Sequence, residues 1–248
     1  MKLSKIVMGT VVTIDIVDPQ VLASDIEKVF NYLEQVEEKF SVFKVSSEIS
    51  RINRGELNHE NYSAEMKEIF SLAAKTKVET NGYFDIVTDK GQFNPSGIVK
   101  GWAISKAADL LKVAGFKNFY VEIGGDIEVA GKNSSNNLWR VGIRNPFDLE
   151  KNVKILELDN CGIATSGIYL RGQHIYNPHN PNEKFSDIVS LTVVAKNAYE
   201  ADRFATAAFA MGREGIVWLE NFPELEAYMI DKNGQATFTS GFEKYITK

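Results

Sequence analysis

The sequence is short of cysteine and of long apolar runs, and each shortage excludes a class of protein. Cys161 is the one cysteine among 248 residues, so neither an internal disulfide framework nor a CxxC metal site is available. Its apolar surroundings at 160–164 favour a buried structural thiol over a nucleophile. No apolar run is long enough to cross a bilayer.

Positive charge is also scarce. Lysine and arginine total 28 against 33 aspartates and glutamates, which gives a formal net charge of −5. This balance argues against a nucleic-acid binder, because neutralising phosphates requires a basic surface. A small anionic ligand would instead need local help from a metal ion, a lysine or backbone N–H groups.

The start of the sequence lacks the apolar core of a signal peptide. Residues 1–10 enter a strand pattern at once. We therefore expect the chain as given to be a cytoplasmic form, although a chain whose leader had been removed would look the same.

Hydrophobic periodicity predicts helices and strands that interleave along the chain. The predicted helices cover 21–40, 63–79, 97–114 and 197–211, with a short helical turn inside 41–53. The predicted strands cover 8–17, 119–129, 138–143, 153–158 and 188–195, with a closing hairpin in 222–248. Turn residues between neighbouring strands indicate antiparallel pairs, so we predict an α+β fold with mixed or antiparallel sheets. No repeat or linker divides the sequence, which indicates a single domain over 1–248.

The segment 200–206 places a carboxylate and a hydroxyl on one helical face. Asp202 and Thr206 are four residues apart in a predicted helix. Two hard oxygen ligands suit Mg²⁺, which takes one or two protein oxygens and fills its other positions with phosphate and water. The competing interpretation is a solvated helix face with no ligand.

The segment 94–101 precedes a predicted helix and ends in Lys100-Gly101. Gly97 allows the backbone to approach a ligand closely. A lysine beside a helix N-terminus suits a diphosphate, although the spacing is not that of a Walker A loop. The alternative is a plain loop-to-helix transition with an exposed lysine.

Two further segments have candidate roles. The run 124–126, Gly-Gly-Asp, lies inside an apolar strand and indicates either a bulge open to a ligand or a sharp turn capped by Asp126. Of the three histidines, His59, His174 and His179, only His174 stands among strand formers. It is the best candidate for a general base or acid, with a hydrogen-bonded structural histidine as the alternative.

Taken in order, these segments resemble the ApbE family, flavin transferases that use FAD and Mg²⁺ to attach FMN covalently to a threonine of a target flavoprotein. Nine segments carry the resemblance over nearly the whole chain: 8–10, 40–41 with 47–53, 80–85, 95–102, 124–126, 164–167, 174–178, 200–206 and 239–241. The resemblance implies an ApbE-like, T-fold-like architecture. Two subdomains around a central FAD cleft are the alternative to one undivided domain.

The resemblance also implies roles for individual residues. Mg²⁺ would be bound by the side chains of Asp202 and Thr206 and by the carbonyl of Gly97, and Asp202 would be catalytic. His174 would be the catalytic base near the reacting diphosphate, and Lys100 would lie near the FAD phosphates. The remaining cofactor contacts would come from Met8, Phe43, Tyr83, Phe84, Asp85, Asn94, Ile175 and His174 itself. We expect Asp202 to face solvent, so that its loss would leave the fold intact.

One position departs from the family pattern, which usually has aspartate where this chain has Asn94. Asparagine keeps a carbonyl acceptor but loses the charge. The implied function is that of an Mg²⁺-dependent FAD:protein FMN transferase with FAD and a target flavoprotein as partners. An FAD pyrophosphatase that uses water in place of threonine and a non-catalytic FAD-binding or delivery protein are the alternatives.

Overall fold

A computed structural model describes residues 1–168, 175–180 and 187–247. Its helices are α1 (Ala23–Phe40), α2 (Glu48–Asn53), α3 (Ala64–Glu79), α4 (Ser96–Val113), α5 (Ala198–Ala210) and α6 (Glu214–Leu219), with short 3-10 helices at His59–Asn61 and Phe242–Tyr245. Its strands are β1 (Lys2–Val7), β2 (Thr10–Ile16), β3 (Phe119–Ile123), β4 (Asp126–Ala130), β5 (Trp139–Asn145), β6 (Asp148–Leu158), β7 (Cys161–Gly167), β8 (Ile188–Ala195), β9 (Glu226–Asp231) and β10 (Ala236–Phe238).

Eight of these strands form one antiparallel sheet in the order β1-β2-β3-β4-β7-β8-β9-β10, and β5 and β6 form a separate hairpin. The predicted α+β class with antiparallel strands is confirmed. None of the helices in the described residues combines the length and the apolar character that a membrane span requires.

Local capping explains where two of the helices begin. The Ser63 hydroxyl accepts a hydrogen bond from the Met66 N–H at 3.2 Å, and the Asn197 side chain accepts one from the Glu200 N–H at 2.9 Å. Each bond satisfies a backbone donor that has no partner inside the helix. The predicted helices over 63–79 and 197–211 start at these two capping residues, and α3 and α5 begin one residue after them.

Two predicted strands are hairpins in the structure. The strand predicted over 119–129 is β3 and β4 joined at Gly124 and Gly125, whose φ angles of 58° and 97° suit a two-residue type I′ turn. The strand predicted over 8–17 contains the second arm of a hairpin. The first arm, β1, lies within the strand pattern of residues 1–10, and the turn between the two arms was not predicted. Met8 and Gly9 form that turn with φ angles of 56° and 69°.

Helices cover one face of the large sheet in two groups. The first cluster of the core joins α1 to α4 with β2 and β3, and the second joins α5 and α6 with β7, β8 and β9. The β5–β6 hairpin and the Phe242–Tyr245 turn cover part of the opposite face. Strand β9 shows the alternation, because Ala227 and Met229 lie in the second cluster while Tyr228 and Ile230 lie in the third. The two helical groups meet where α4 contacts α5.

Cys161 is buried on β7, as predicted. Burial raises the pKa of its thiol to about 12, so that the thiolate is scarce near neutral pH. Burial is thus the physical basis of the predicted structural role of this thiol.

Candidate functional site

The candidate site lies at the α4–α5 interface, where Gly97 and Gly101 of α4 face Asp202 and Thr206 of α5. A Cβ added at Gly101 would lie 2.5 Å from the Ala198 carbonyl oxygen and 2.5 Å from Asp202 Cβ. A Cβ at Gly97 would lie 3.4 Å from Thr206 Cγ2 and 3.9 Å from its Oγ1. Glycine at both positions therefore lets the two helices touch along the face that carries the predicted metal ligands.

Asp202 is buried, with 4% of its surface exposed, which corrects the expectation of a solvent-facing side chain. Its Oδ2 accepts a hydrogen bond from the Gly101 N–H at 2.8 Å. In a regular α-helix that N–H donates to the carbonyl of Gly97, so the Asp202 carboxylate competes with this carbonyl for the proton. The burial arises because glycine at 101 leaves room for the carboxylate against α4.

Lys100 reaches two buried carboxylates. Its Nζ lies 2.5 Å from Asp126 Oδ2 and 4.0 Å from Asp202 Oδ1. Asp126 is 1% exposed, and its Oδ1 accepts a hydrogen bond from the Thr165 N–H at 3.0 Å. The ammonium offsets the cost of burying two negative charges and is held at the first turns of α4. The Asp126 side chain therefore joins β7 to α4.

The turn at 80–85 packs its buried aromatic residue against the start of α4. Phe84 is 3% exposed, and a Cβ at Gly97 would lie 3.2 Å from its ring. The Phe84 N–H donates to the Thr80 hydroxyl at 3.1 Å. Phe84 thus supports the backbone at Gly97 from inside the first cluster.

The other two residues predicted in this turn, Tyr83 and Asp85, are half-buried. The Tyr83 ring packs edge-to-face on His179, with the centroids 4.6 Å apart. Asp85 accepts a hydrogen bond from the Val87 N–H at 2.9 Å and pairs with Lys77 at 2.6 Å. Tyr83 is therefore held by the 175–180 segment, and Asp85 by residues close to it in sequence.

Asn94 shapes the entry to α4. Its side-chain oxygen accepts a hydrogen bond from the Ser96 N–H at 3.2 Å, and its own N–H donates to the Ile86 carbonyl at 2.7 Å. This turn needs only a side-chain oxygen that accepts a hydrogen bond, and both asparagine and aspartate provide one. The missing charge at position 94 is therefore compatible with the observed backbone.

The remaining predicted residues are spread more widely. Met8 is half-buried in the β1–β2 turn and packs against the first cluster. Phe43, in the segment after α1, is 92% exposed. Ile175 packs against the second cluster, to which α5 belongs. His174 lies outside the described residues, and its role stays a prediction.

Sequence reasoning missed Glu128 and Ser105, which join three elements beneath the interface. Glu128 is 3% exposed, and its Oε2 accepts hydrogen bonds from Ser105 Oγ at 2.7 Å and from the Ala198 N–H at 3.0 Å. A signal was present, because Asp126 and Glu128 stand two positions apart in an apolar strand and so share one face. Two charges on a buried face require specific partners.

The described residues contain no group of three or more His, Cys, Asp or Glu side chains that could hold a metal ion. The α4–α5 interface offers a different donor set: the carboxylate of Asp202, the hydroxyl of Thr206 and the carbonyl of Gly97. These hard oxygens fit Mg²⁺, which keeps several positions for water or phosphate and rarely uses an all-protein cage. The residues present therefore fit the predicted metal.

The model of the ApbE family matches residues 8–92 and 87–229. The FAD:protein FMN transferase of Vibrio cholerae is 32% identical over 165 residues, which cover 62% of this chain and 49% of that protein. The FAD:protein FMN transferase of Escherichia coli K12 is 31% identical over 150 residues, which cover 57% of this chain and 43% of that protein. The chain thus spans about half the length of the curated relatives it matches.

Solved structures agree over the whole chain. The flavin transferase ApbE from Vibrio cholerae superimposes with a TM-score of 0.86 at 25% identity and covers 99% of this chain and 98% of that one. The ApbE protein from Thermotoga maritima has the same fold, with a TM-score of 0.86 at 20% identity over 100% of this chain and 99% of that one. Since the family model spans most of the sequence and the fold agrees with it, the chain belongs to the ApbE family.

Proposed function

We propose that this chain is an Mg²⁺-dependent FAD:protein FMN transferase that attaches FMN to a threonine of a target flavoprotein. The observation that carries the proposal is the convergence of Gly97, Lys100, Asp202 and Thr206 at the α4–α5 interface. The names of the relatives from Vibrio cholerae and Escherichia coli support the same activity.

The proposed reaction is a phosphoryl transfer. The hydroxyl oxygen of the acceptor threonine attacks the phosphorus on the FMN side of the FAD diphosphate. The bond from that phosphorus to the AMP oxygen breaks, AMP leaves, and the hydroxyl proton passes to a base. Such reactions depend mainly on positioning and on neutralising charge.

Asp202, Thr206 and the carbonyl of Gly97 would hold the Mg²⁺ ion. When bound, the ion neutralises charge on the diphosphate and on the departing AMP. The hydrogen bond from the Gly101 N–H orients the Asp202 carboxylate and draws the same proton away from the Gly97 carbonyl. This competition supports the carbonyl as a metal ligand.

Lys100 and the N-terminus of α4 would also bind the diphosphate. The ammonium is anchored by Asp126, and the 18-residue helix directs the positive end of its dipole toward the same place. The proposal keeps His174 as the base. It also keeps Met8, Phe43, the 83–85 turn, Asn94 and Ile175 as flavin and adenosine contacts.

Mass spectrometry of a candidate acceptor tests the activity directly. The chain is mixed with FAD, Mg²⁺ and a flavoprotein that carries a family-type acceptor threonine, with and without EDTA. We expect a mass shift equal to FMN that EDTA abolishes. Release of FMN and AMP in the absence of an acceptor would identify a pyrophosphatase, and intact FAD in every reaction would identify a binding protein.

Asp202→Asn tests the metal site while respecting its burial, because the amide oxygen can still accept the Gly101 N–H. We expect Mg²⁺-dependent transfer to fall by more than the ~10–100-fold that partners outside the ligand set typically contribute. Asn94→Asp is a separate test of the charge at position 94, because both side chains can accept the Ser96 N–H. A large gain in transfer from Asn94→Asp would show that the charge matters and would favour the binding-protein alternative for the natural sequence.

A further inference from the structure

Glu128 is a buried carboxylate to which the proposed reaction gives no part. It lies on β4 two residues after Asp126 and on the same face, with 3% of its surface exposed. The Nζ atom of Lys112, a half-exposed residue of α4, lies 3.1 Å from Glu128 Oε1. The other oxygen, Oε2, accepts hydrogen bonds from both α4 and α5. Burying a carboxylate raises the free energy of the folded state unless specific hydrogen bonds replace its hydration.

The inward hydrogen bonds of Glu128 end on the first turn of α5. Its Oε2 accepts from the Ala198 N–H at 3.0 Å and from Ser105 Oγ at 2.7 Å, and Ser105 Oγ accepts from the Tyr199 N–H at 3.0 Å. These are the first two N–H groups of the helix, which have no partner within it. The local cap, Asn197, serves the third. Most of the capping of α5 therefore comes from distant elements.

The same helix end is in contact with two other backbones. A Cβ at Gly162 of β7 would lie 2.1 Å from the Ala198 nitrogen, and a Cβ at Gly101 of α4 would lie 2.5 Å from the Ala198 oxygen. These close backbone contacts fix the distances from the start of α5 to β7 and to α4. The hydrogen bonds to Glu128 and Ser105 then set its position along its axis.

Ala198 lies one turn before Asp202 and two turns before Thr206, about 6 and 12 Å along the helix axis. A displacement of the first turn therefore moves both ligands together. We propose that Glu128, acting with Ser105, is a positioning residue for the metal site: it fixes α5 against α4 and so sets the distance from the Asp202 and Thr206 oxygens to the Gly97 carbonyl. This inference rests on the proposed function, because the metal site is the same.

The test measures metal affinity and turnover separately in Glu128→Ala, Ser105→Ala and Glu128→Gln. Mn²⁺ serves as the probe, and its dissociation constant is measured by EPR titration of the purified chain. We expect the two alanine variants to raise that constant about 10–100-fold, as outer partners of metal ligands do. Their FMN transfer should recover at high Mg²⁺. Glu128→Gln should stay close to wild type, because its amide oxygen can replace Oε2.

Asp18→Ala is the matched control. Asp18 is 9% exposed and accepts the N–H groups of Lys117 and Asn118 at 3.1 and 2.8 Å, so it is a buried carboxylate that binds backbone away from α5. Its loss should lower the melting temperature in the same way as the loss of Glu128 and leave Mn²⁺ affinity unchanged.

The possible outcomes distinguish a failure of the positioning role from a failure of the proposed function. If the wild-type chain binds Mn²⁺ and the alanine variants bind it as tightly as Asp18→Ala does, the positioning role is wrong and the proposed function stands. If the wild-type chain binds no Mn²⁺ and transfers no FMN, both proposals fail. Should Glu128→Ala not fold, Ser105→Ala decides, because it leaves the carboxylate and its bond to the Ala198 N–H in place and removes the acceptor for the Tyr199 N–H together with one donor to Glu128 Oε2.

Discussion

Strands β4 and β9 are both buried along their whole length, and each carries two carboxylates, but these carboxylates bind different parts of the molecule. On β4, Asp126 pairs with Lys100, while Glu128 accepts from Ser105 and Ala198. All of these partners belong to α4 or α5. Strand β4 is thereby tied to both helices that form the candidate site.

The carboxylates of β9 bind residues in the C-terminal part of the chain, between 213 and 244. Glu226 accepts from the Thr239 hydroxyl at 2.5 Å and from Lys244 at 3.0 Å. Asp231 pairs with Arg213 at 2.7 Å and accepts two backbone N–H groups of the turn that follows. These contacts close the β9–β10 hairpin and the segment after it.

Burial of a carboxylate indicates that it has specific bonding partners, but it does not indicate whether those partners serve the fold or the candidate site. A buried charge costs several kcal/mol unless it is bonded, so both pairs matter to the fold. Only the pair on β4 is bonded to helices that carry predicted ligands. Substitutions at matched positions in the two regions test this difference.

The largest difference is expected between Gly101→Ala and Gly215→Ala. Both crowd α5, since the added Cβ would lie 2.5 Å from the Ala198 oxygen or 2.0 Å from the Ala208 oxygen. Each should lower stability by about 1–3 kcal/mol, the usual cost of overpacking. Gly101→Ala should also weaken Mn²⁺ binding about tenfold or more, because it moves Asp202. Equal Mn²⁺ affinities in EPR titrations would show that the α4–α5 interface is not special.

A smaller difference is expected between Asp126→Asn and Asp231→Asn. Asparagine at 126 still accepts the Thr165 N–H but leaves the Lys100 ammonium with less negative charge around it. Since that ammonium already lies 4.0 Å from Asp202 Oδ1, it should compete with the metal, and Mn²⁺ affinity should fall about tenfold. Asp231→Asn should leave the affinity unchanged. Isothermal titration with Mn²⁺ measures both.

The smallest effect concerns acid stability. The hydrogen bond from the Gln235 N–H lowers the pKa of Asp231 below its ordinary value of 3.8, with help from the Asn233 N–H and from Arg213. A lowered pKa in the folded state gives stability that is present above pH 3.8 and is lost as pH falls through the folded pKa. Urea unfolding at pH 3 and at pH 6 should show a smaller loss on acidification in Asp231→Asn than in wild type. An unchanged loss would remove Asp231 from this role.

The elements with local signals were predictable. Strand β8 covers the predicted range. Helices α3 and α5 begin one residue after the predicted starts at 63 and 197, because a capping side chain bonds within three residues of itself and so leaves a local signal. The β1–β2 turn was missed, and the β3–β4 turn was only one of two alternatives, because glycine in an apolar run indicates a bulge as readily as a sharp turn.

The candidate site was predictable only in part. The spacing of Asp202 and Thr206 places them on one face of a helix, and the structure has them so. The burial of Asp202 depends on Gly101, which is 101 residues earlier, and the cap of α5 depends on Glu128, which is 70 residues before Ala198. Contacts over such distances in sequence leave no local period to detect.

The place of Lys100 between Asp126 and Asp202 bears on how the protein matures. Proteins whose buried ligands have no internal counter-ion often stay unfolded until their ion arrives. Here a tethered ammonium already offsets part of the negative charge of Asp126 and Asp202. If the proposed metal site is correct, we therefore expect the chain to fold before the ion is bound, so that folding and metal loading are separate events.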